Sequence, residues 1–192
     1  MIKAVIFDFF DVIHADPQKA WLKDHGFTRD GIFAEASDKL DLGHINADEY
    51  FEHYAKGHGT KTAQQIRAEF DSYAKVDEGL VEIIKTLRAA GYKTGLLSNS
   101  SSDELRPILD KHLLEPLFDT IIISGEIGLK KPDPAIFELM LQKLGIDAKD
   151  AVFVDDTLHN VESAERVGIK GVHHNDAANL RLQLNALGIN FN

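Results

Sequence analysis

Near the start of the chain the apolar run Ala4-Val5-Ile6-Phe7 ends on Asp8, and the sequence continues Phe9-Phe10-Asp11-Val12-Ile13. A run that is apolar at every position, not at alternate ones, reads as a strand buried on both faces. Such strands belong to parallel sheets covered by helices, which narrows the fold sharply. A buried, unpaired carboxylate is costly, so Asp8 is expected at the strand's C-terminal end, facing a cation or a cleft. Taken alone, the stretch also allows Asp8 to be a simple turn cap.

The next sixty residues contain no convincing strand. Asp16-Pro17 has the form of a helix start, with Asp as N-cap and Pro at the first helical position. That helix carries Trp21 and Leu22 and stops before Gly26. A second segment with Ile32, Phe33 and Leu40 ends at Gly43. Asn46 and Glu49 have capping-box spacing and open a helix with Tyr50, Phe51 and Tyr54. The Gly57–Gly59 region reads as a turn, and a further helix carries Ile66, Phe70 and Tyr73.

Beyond residue 75 the pattern alternates. Leu80, Ile83, Ile84 and Leu87 share one helical face. Lys93 to Leu97, Ile121 to Ile123, Ala151 to Val154 and Gly171 to His173 read as strands, each followed by a helical stretch. Ser101 and Glu104 have the spacing of another capping box. The expected architecture is α/β: a doubly wound, Rossmann-like parallel sheet from residues 1–15 and 76–192, with a small α-helical cap domain, residues 16–75, inserted between.

Composition limits the partners. The net charge of −10 comes without a long basic run, which argues against nucleic acid or an anionic membrane. There is no cysteine, hence no disulfide, thiolate chemistry or cysteine-ligated zinc. No stretch approaches a membrane span, and a cytoplasmic protein is expected.

Open parallel sheets bind ligands at the C-terminal ends of their strands. Here those ends carry Asp8, then Ser98 and Asn99, then Asp155 and Asp156, with Lys130 and Lys131 in the loop after the third strand. Carboxylates, a hydroxyl and a lysine on one edge suit Mg²⁺ and a phosphoryl group. Each residue also has a structural reading, as a cap or a solvated side chain, but caps do not require three strand ends to carry compatible chemistry.

At this point the chain resembles the haloacid dehalogenase superfamily, within it the small phosphatase-like hydrolases with a helical cap. Val5-Ile6-Phe7-Asp8, Leu96-Leu97-Ser98-Asn99, Lys131-Pro132-Asp133-Pro134 and Val152-Phe153-Val154-Asp155-Asp156 match its four motifs in order. The resemblance implies that Asp8 is a nucleophile forming an aspartyl-phosphate. It implies Mg²⁺ held by Asp8, Asp156 and the Phe10 backbone carbonyl, with Asp155 and Asn160 assisting. Ser98, Asn99 and Lys131 would bind the phosphoryl group of a small phosphorylated metabolite, such as a sugar phosphate, with Phe9 and Phe10 beside it.

One position departs from the pattern. The family's phosphatases usually carry a second Asp two residues after the nucleophile, as general acid and base, and here that residue is Phe10. A general acid–base group is worth about 10²–10⁴-fold in rate. A slow phosphatase is therefore expected, favouring leaving groups that need little help. A 2-haloacid dehalogenase, in which Asp8 attacks carbon, and a catalytically degenerate binding protein are the alternatives. The Asp155-Asp156 pair argues against the dehalogenase. Of the histidines, His14 is a candidate for the cleft wall, and none has metal-ligand spacing. Trp21, Phe51, Tyr54 and Phe70 are expected in the core of the insert.

Overall fold

A computed structural model of the chain describes residues 1–190. Its centre is a five-stranded sheet of β1 (Ala4–Phe7), β2 (Lys93–Ser98), β3 (Thr120–Ile123), β4 (Ala151–Asp155) and β5 (Lys170–His173). The strand order is β3-β2-β1-β4-β5, and every pairing is parallel. β1 is central: Ile6 stands level with Gly95 of β2 and with Phe153 of β4.

The expected doubly wound sheet explains why β1 is apolar throughout. Val5 and Phe7 enter the core on one face, Ala4 and Ile6 that on the other. The first face is covered by α5 (Glu78–Ala89), α6 (Ser102–Lys111) and α10 (Ala177–Ala186), through Leu80, Leu105 and Leu180 among others. The second is covered by α8 (Pro134–Leu144) and α9 (Leu158–Val167), through Phe137, Met140 and Ala164. A short helix that the sequence pattern did not signal, α7 (Ser124–Ile127), follows β3 directly. Among the described residues no helix is long and apolar enough to cross a membrane.

Between β1 and α5 run α1 (Pro17–Asp24), α2 (Gly31–Asp41), α3 (Ala47–His58) and α4 (Ala63–Tyr73). They build a separate apolar cluster around Trp21, with Phe33, Leu40, Tyr54, Ile66 and Phe70. Trp21, Tyr54 and Phe70 are buried, as expected, and Phe51 packs at the cluster's edge. Asp16 accepts from the amides of Gln18 and Lys19 at the start of α1. Capping boxes form at Asn46–Glu49 and at Thr62–Gln65.

Gly57 corrects one expectation. It lies inside α3 and is no turn. A Cβ on it would stand 2.8 Å from Ile32 Cγ2 and from the Phe33 ring. The glycine is there because α3 approaches α2 too closely for a side chain. The helix ends instead at Gly59, whose φ of 81° is the left-handed cap conformation.

The chain enters and leaves this four-helix insert through two segments lying side by side. The Ala15 amide donates to the Lys75 carbonyl at 2.8 Å, and the Asp77 amide to the Ile13 carbonyl at 2.8 Å. Further out, polar contacts seat the insert on the sheet domain. Ser124 Oγ donates to the Asp41 carbonyl at 2.5 Å, Lys130 Nζ to Asp38 at 2.6 Å, and the Ala47 amide to Asp103 at 2.7 Å.

Candidate active site

The C-terminal edge of the sheet and the insert enclose a cavity of about 880 Å³. β1 delivers Asp8 to its floor at the point where the strand order reverses, the usual ligand position in such sheets. The Asp8 amide donates to the Val154 carbonyl at 2.9 Å, which extends the β1–β4 ladder by one residue and fixes the nucleophile candidate against β4.

Lys131 is the hub. Its Nζ lies 2.6 Å from Asp8 Oδ1 and 2.7 Å from Asp155 Oδ2, and its side chain is only 1% exposed. The Asn99 side chain holds the loop in place: Nδ2 donates to the Lys131 carbonyl at 2.9 Å, and the Lys131 amide donates back to Oδ1 at 2.9 Å. Burial pulls the lysine towards neutrality, but the Asp155 and Asp8 charges outweigh it and hold it above its ordinary value. Burial pushes the Asp8 carboxyl up, helped by the Asp155 charge and opposed by Lys131.

Asp155 is fully committed to protein partners. Oδ1 accepts from the Thr157 amide at 2.8 Å and from Asn160 Nδ2 at 3.1 Å, while Oδ2 takes Lys131. Asp156 is more open. Burial raises its carboxyl first and the Asp155 charge second, with Lys19 opposing. Asp8, Asp155 and Asp156 each place a carboxylate oxygen within 4.8 Å of the others. An all-oxygen set with repelling charges is what a hard divalent cation satisfies, so these residues fit Mg²⁺.

Three sequence candidates are not among the residues that line the cavity. Ser98 is completely buried, receives the Ser100 hydroxyl at 3.1 Å and stands behind the cavity wall, whereas its neighbour Asn99 lines it. The Phe9 side chain is likewise in the core, stacked on His14 with ring centroids 5.4 Å apart, so only its backbone can face a substrate. His14 is buried beneath the loop and does not line the cavity. Phe10, by contrast, does line it.

Glu104 departs from its expected role. Ser101 Oγ accepts from the Glu104 amide at 3.3 Å, so half of the expected capping box forms. The Glu104 carboxyl lines the cavity instead of closing the box. Burial, then the charges of Asp41 and Asp16, push it up to about 8. The insert also contributes Gln18, Lys19, Arg29, Asp41 and Tyr50 to the wall. Sequence reasoning did not assign these to a site, because polar residues on a cavity wall look the same as solvated ones.

A model of the haloacid dehalogenase-like hydrolases matches residues 2–168. A sesquiterpene phosphatase of Aspergillus oryzae is 28% identical over 193 aligned positions, covering 96% of each chain. Phosphoglycolate phosphatase 1 of Pseudomonas aeruginosa is 32% identical over 107 positions, 55% of this chain and 39% of that protein. Among solved structures, a family enzyme of Bacteroides thetaiotaomicron in complex with magnesium and inorganic phosphate superposes with a TM-score of 0.73. It is 24% identical, covering 94% of this chain and 99% of that one, a likeness of fold.

Proposed function

Because the chain belongs to the haloacid dehalogenase-like hydrolases, we propose that it is a Mg²⁺-dependent phosphatase of a small phosphorylated metabolite, working through an aspartyl-phosphate on Asp8. The observation that carries this reading is the buried Asp8–Lys131–Asp155 chain with Asp156 beside it, on the floor of the cavity between sheet and insert. Asp8 and Asp156, with the Phe10 backbone carbonyl, would hold Mg²⁺, and Asp155 would stay in its protein hydrogen bonds. When bound, the ion neutralises charge on the phosphoryl oxygens.

The chain's own residues do the rest. Lys131 aligns Asp8 and offers its charge to a phosphoryl oxygen. Asn99 keeps the lysine loop in place. The helical insert, residues 16–75, acts as a cap that excludes water and selects the leaving group. Its contribution to the cavity is rich in hydroxyl, amide and charged groups, Gln18, Ser37, Tyr50, Asp41 and Arg29, which favours a hydroxylated leaving group such as a sugar. Phe10, Leu22, Phe27 and Leu40 line the same cavity. Together with the full-length likeness to a sesquiterpene phosphatase they support an isoprenoid phosphate as the second substrate reading.

The test is phosphate release from sugar, acyl, isoprenoid and aryl phosphates, with Mg²⁺, with a chelator, and in Asp8→Asn. Turnover is expected to need both the ion and Asp8, the variant losing at least ~10³-fold. Turnover that survives Asp8→Asn would sink the aspartyl-phosphate route. Halide release from 2-haloacids without metal would replace it with the dehalogenase reading.

A further inference from the structure

When a phosphomonoester is attacked in line, the leaving oxygen lies on the side of phosphorus opposite the nucleophile. With Asp8 on the sheet edge, that side faces the insert. An alkoxide leaving group gathers negative charge there and needs a cation or a hydrogen-bond donor. The loop after β1 supplies neither at Phe10, which lines the cavity with a hydrocarbon ring.

Lys19 meets the need from the other side. It stands in the first turn of α1 and lines the same cavity as Asp8 and Phe10. Its Nζ lies 2.5 Å from Asp11 Oδ2 and 3.6 Å from Asp156 Oδ2. Among the described residues it is the one cation of the insert ion-paired to carboxylates of the catalytic edge. Arg29 pairs only within the insert, with Asp41 at 3.9 Å. Asp11 sits at φ 55°, and its other oxygen accepts the Asp16 amide at 2.9 Å, so the residue that anchors Lys19 also anchors the start of its helix. The Lys19 side chain is 67% exposed, leaving it free to swing from Asp11 to a bound substrate.

We propose that Lys19 is the leaving-group cation of this enzyme, reaching from the insert to the oxygen that Asp8 displaces. The inference rests on the phosphatase reading above. Asp8 forms the new bond to phosphorus, and the bond to the leaving oxygen breaks with its electron pair staying on that oxygen. Lys19 donates a hydrogen bond to it and carries its growing charge. The proton that finally sits on it is drawn from solvent.

The experiment compares wild type, Lys19→Met and Lys19→Arg on two Mg²⁺-dependent reactions: an alkyl phosphate, whose alkoxide is a poor leaving group, and p-nitrophenyl phosphate, whose phenolate is a good one. The quantity is kcat/KM, which reports the step in which the leaving group departs. Lys19→Met is expected to lose ~10²-fold or more on the alkyl ester and less than ~3-fold on the aryl ester. Lys19→Arg is expected to recover most of the alkyl activity, and all three proteins to melt within a few degrees of one another. An equal loss on both esters, or no rescue by arginine, would give Lys19 a merely structural role and overturn the proposal. A wild type with no Asp8-dependent turnover on either ester would overturn the phosphatase reading, and this one with it.

Discussion

At the scale of single residues, Lys131 holds together the charges at the C-terminal edge of the sheet. It is buried between two carboxylates, at 2.6 Å from Asp8 and 2.7 Å from Asp155. Lys131→Met leaves both acids buried without their cation, and urea denaturation is expected to show a loss of about 3–5 kcal/mol. Glu104 gives the opposite sign. Its carboxyl is raised from an ordinary 4.5 to about 8 by burial and by Asp41 and Asp16. The unfolded chain releases this proton near pH 4.5 and the folded chain holds it to about 8, so stability falls as pH rises through that window. Glu104→Gln is therefore expected to be nearly neutral at pH 4 and to gain stability at pH 8, by at most about 4 kcal/mol. Melting curves at the two values check it, and a gain independent of pH would place the effect elsewhere. The cluster of Asp8, Asp155 and Asp156 was legible in the sequence because charges at the ends of apolar strands have no structural excuse. Glu104 was misread because a glutamate three residues after a serine fits a capping box as well as a cavity wall.

At the scale of elements, local chemistry sets the insert's helices. Asn46 and Glu49 satisfy amides reciprocally at 2.9 Å each at the start of α3. Asn46→Ala is expected to cost about 1 kcal/mol, read from the thermal midpoint. Gly57 is less forgiving. A methyl group there meets Ile32 and Phe33 at 2.8 Å, and Gly57→Ala is expected to cost about 1–3 kcal/mol although alanine is the better helix former. A stabilised Gly57→Ala would show that the α2–α3 contact is not tight. Helix starts were readable because Asp16 and Asn46 announce themselves by residue type and spacing. Gly57 was not, because a glycine kept for close approach has the same letter as one kept for a turn. The same limit hid Ser98 and Phe9: motif spacing gives the strand end, but the pleat decides which side chains face the cavity.

At the scale of the whole molecule, the cavity exists only while the insert rests on the sheet domain. Gly43, at φ 70°, places its backbone against Gly125 so closely that a Cβ would fall 2.3 Å from the Gly125 carbonyl oxygen. Gly43→Ala is expected to prop the insert away from α7 and to cost ~10–100-fold in kcat/KM. Small-angle scattering should show a more open molecule, and wild-type kinetics in the variant would mean that this contact does not set closure. The two chain segments that carry the insert run beside each other, with Ala15 bonded to Lys75 and Ile13 to Asp77. Strands so paired can be joined by a turn of a few residues. The sheet domain could thus be severed from its lid and closed by a hairpin, or fitted with a lid from elsewhere, without lengthening either crossing. On the proposed reading, leaving-group preference is in that sense a replaceable part: it is carried by a detachable body, while Asp8, Lys131, Asp155 and Asp156 stay with the sheet.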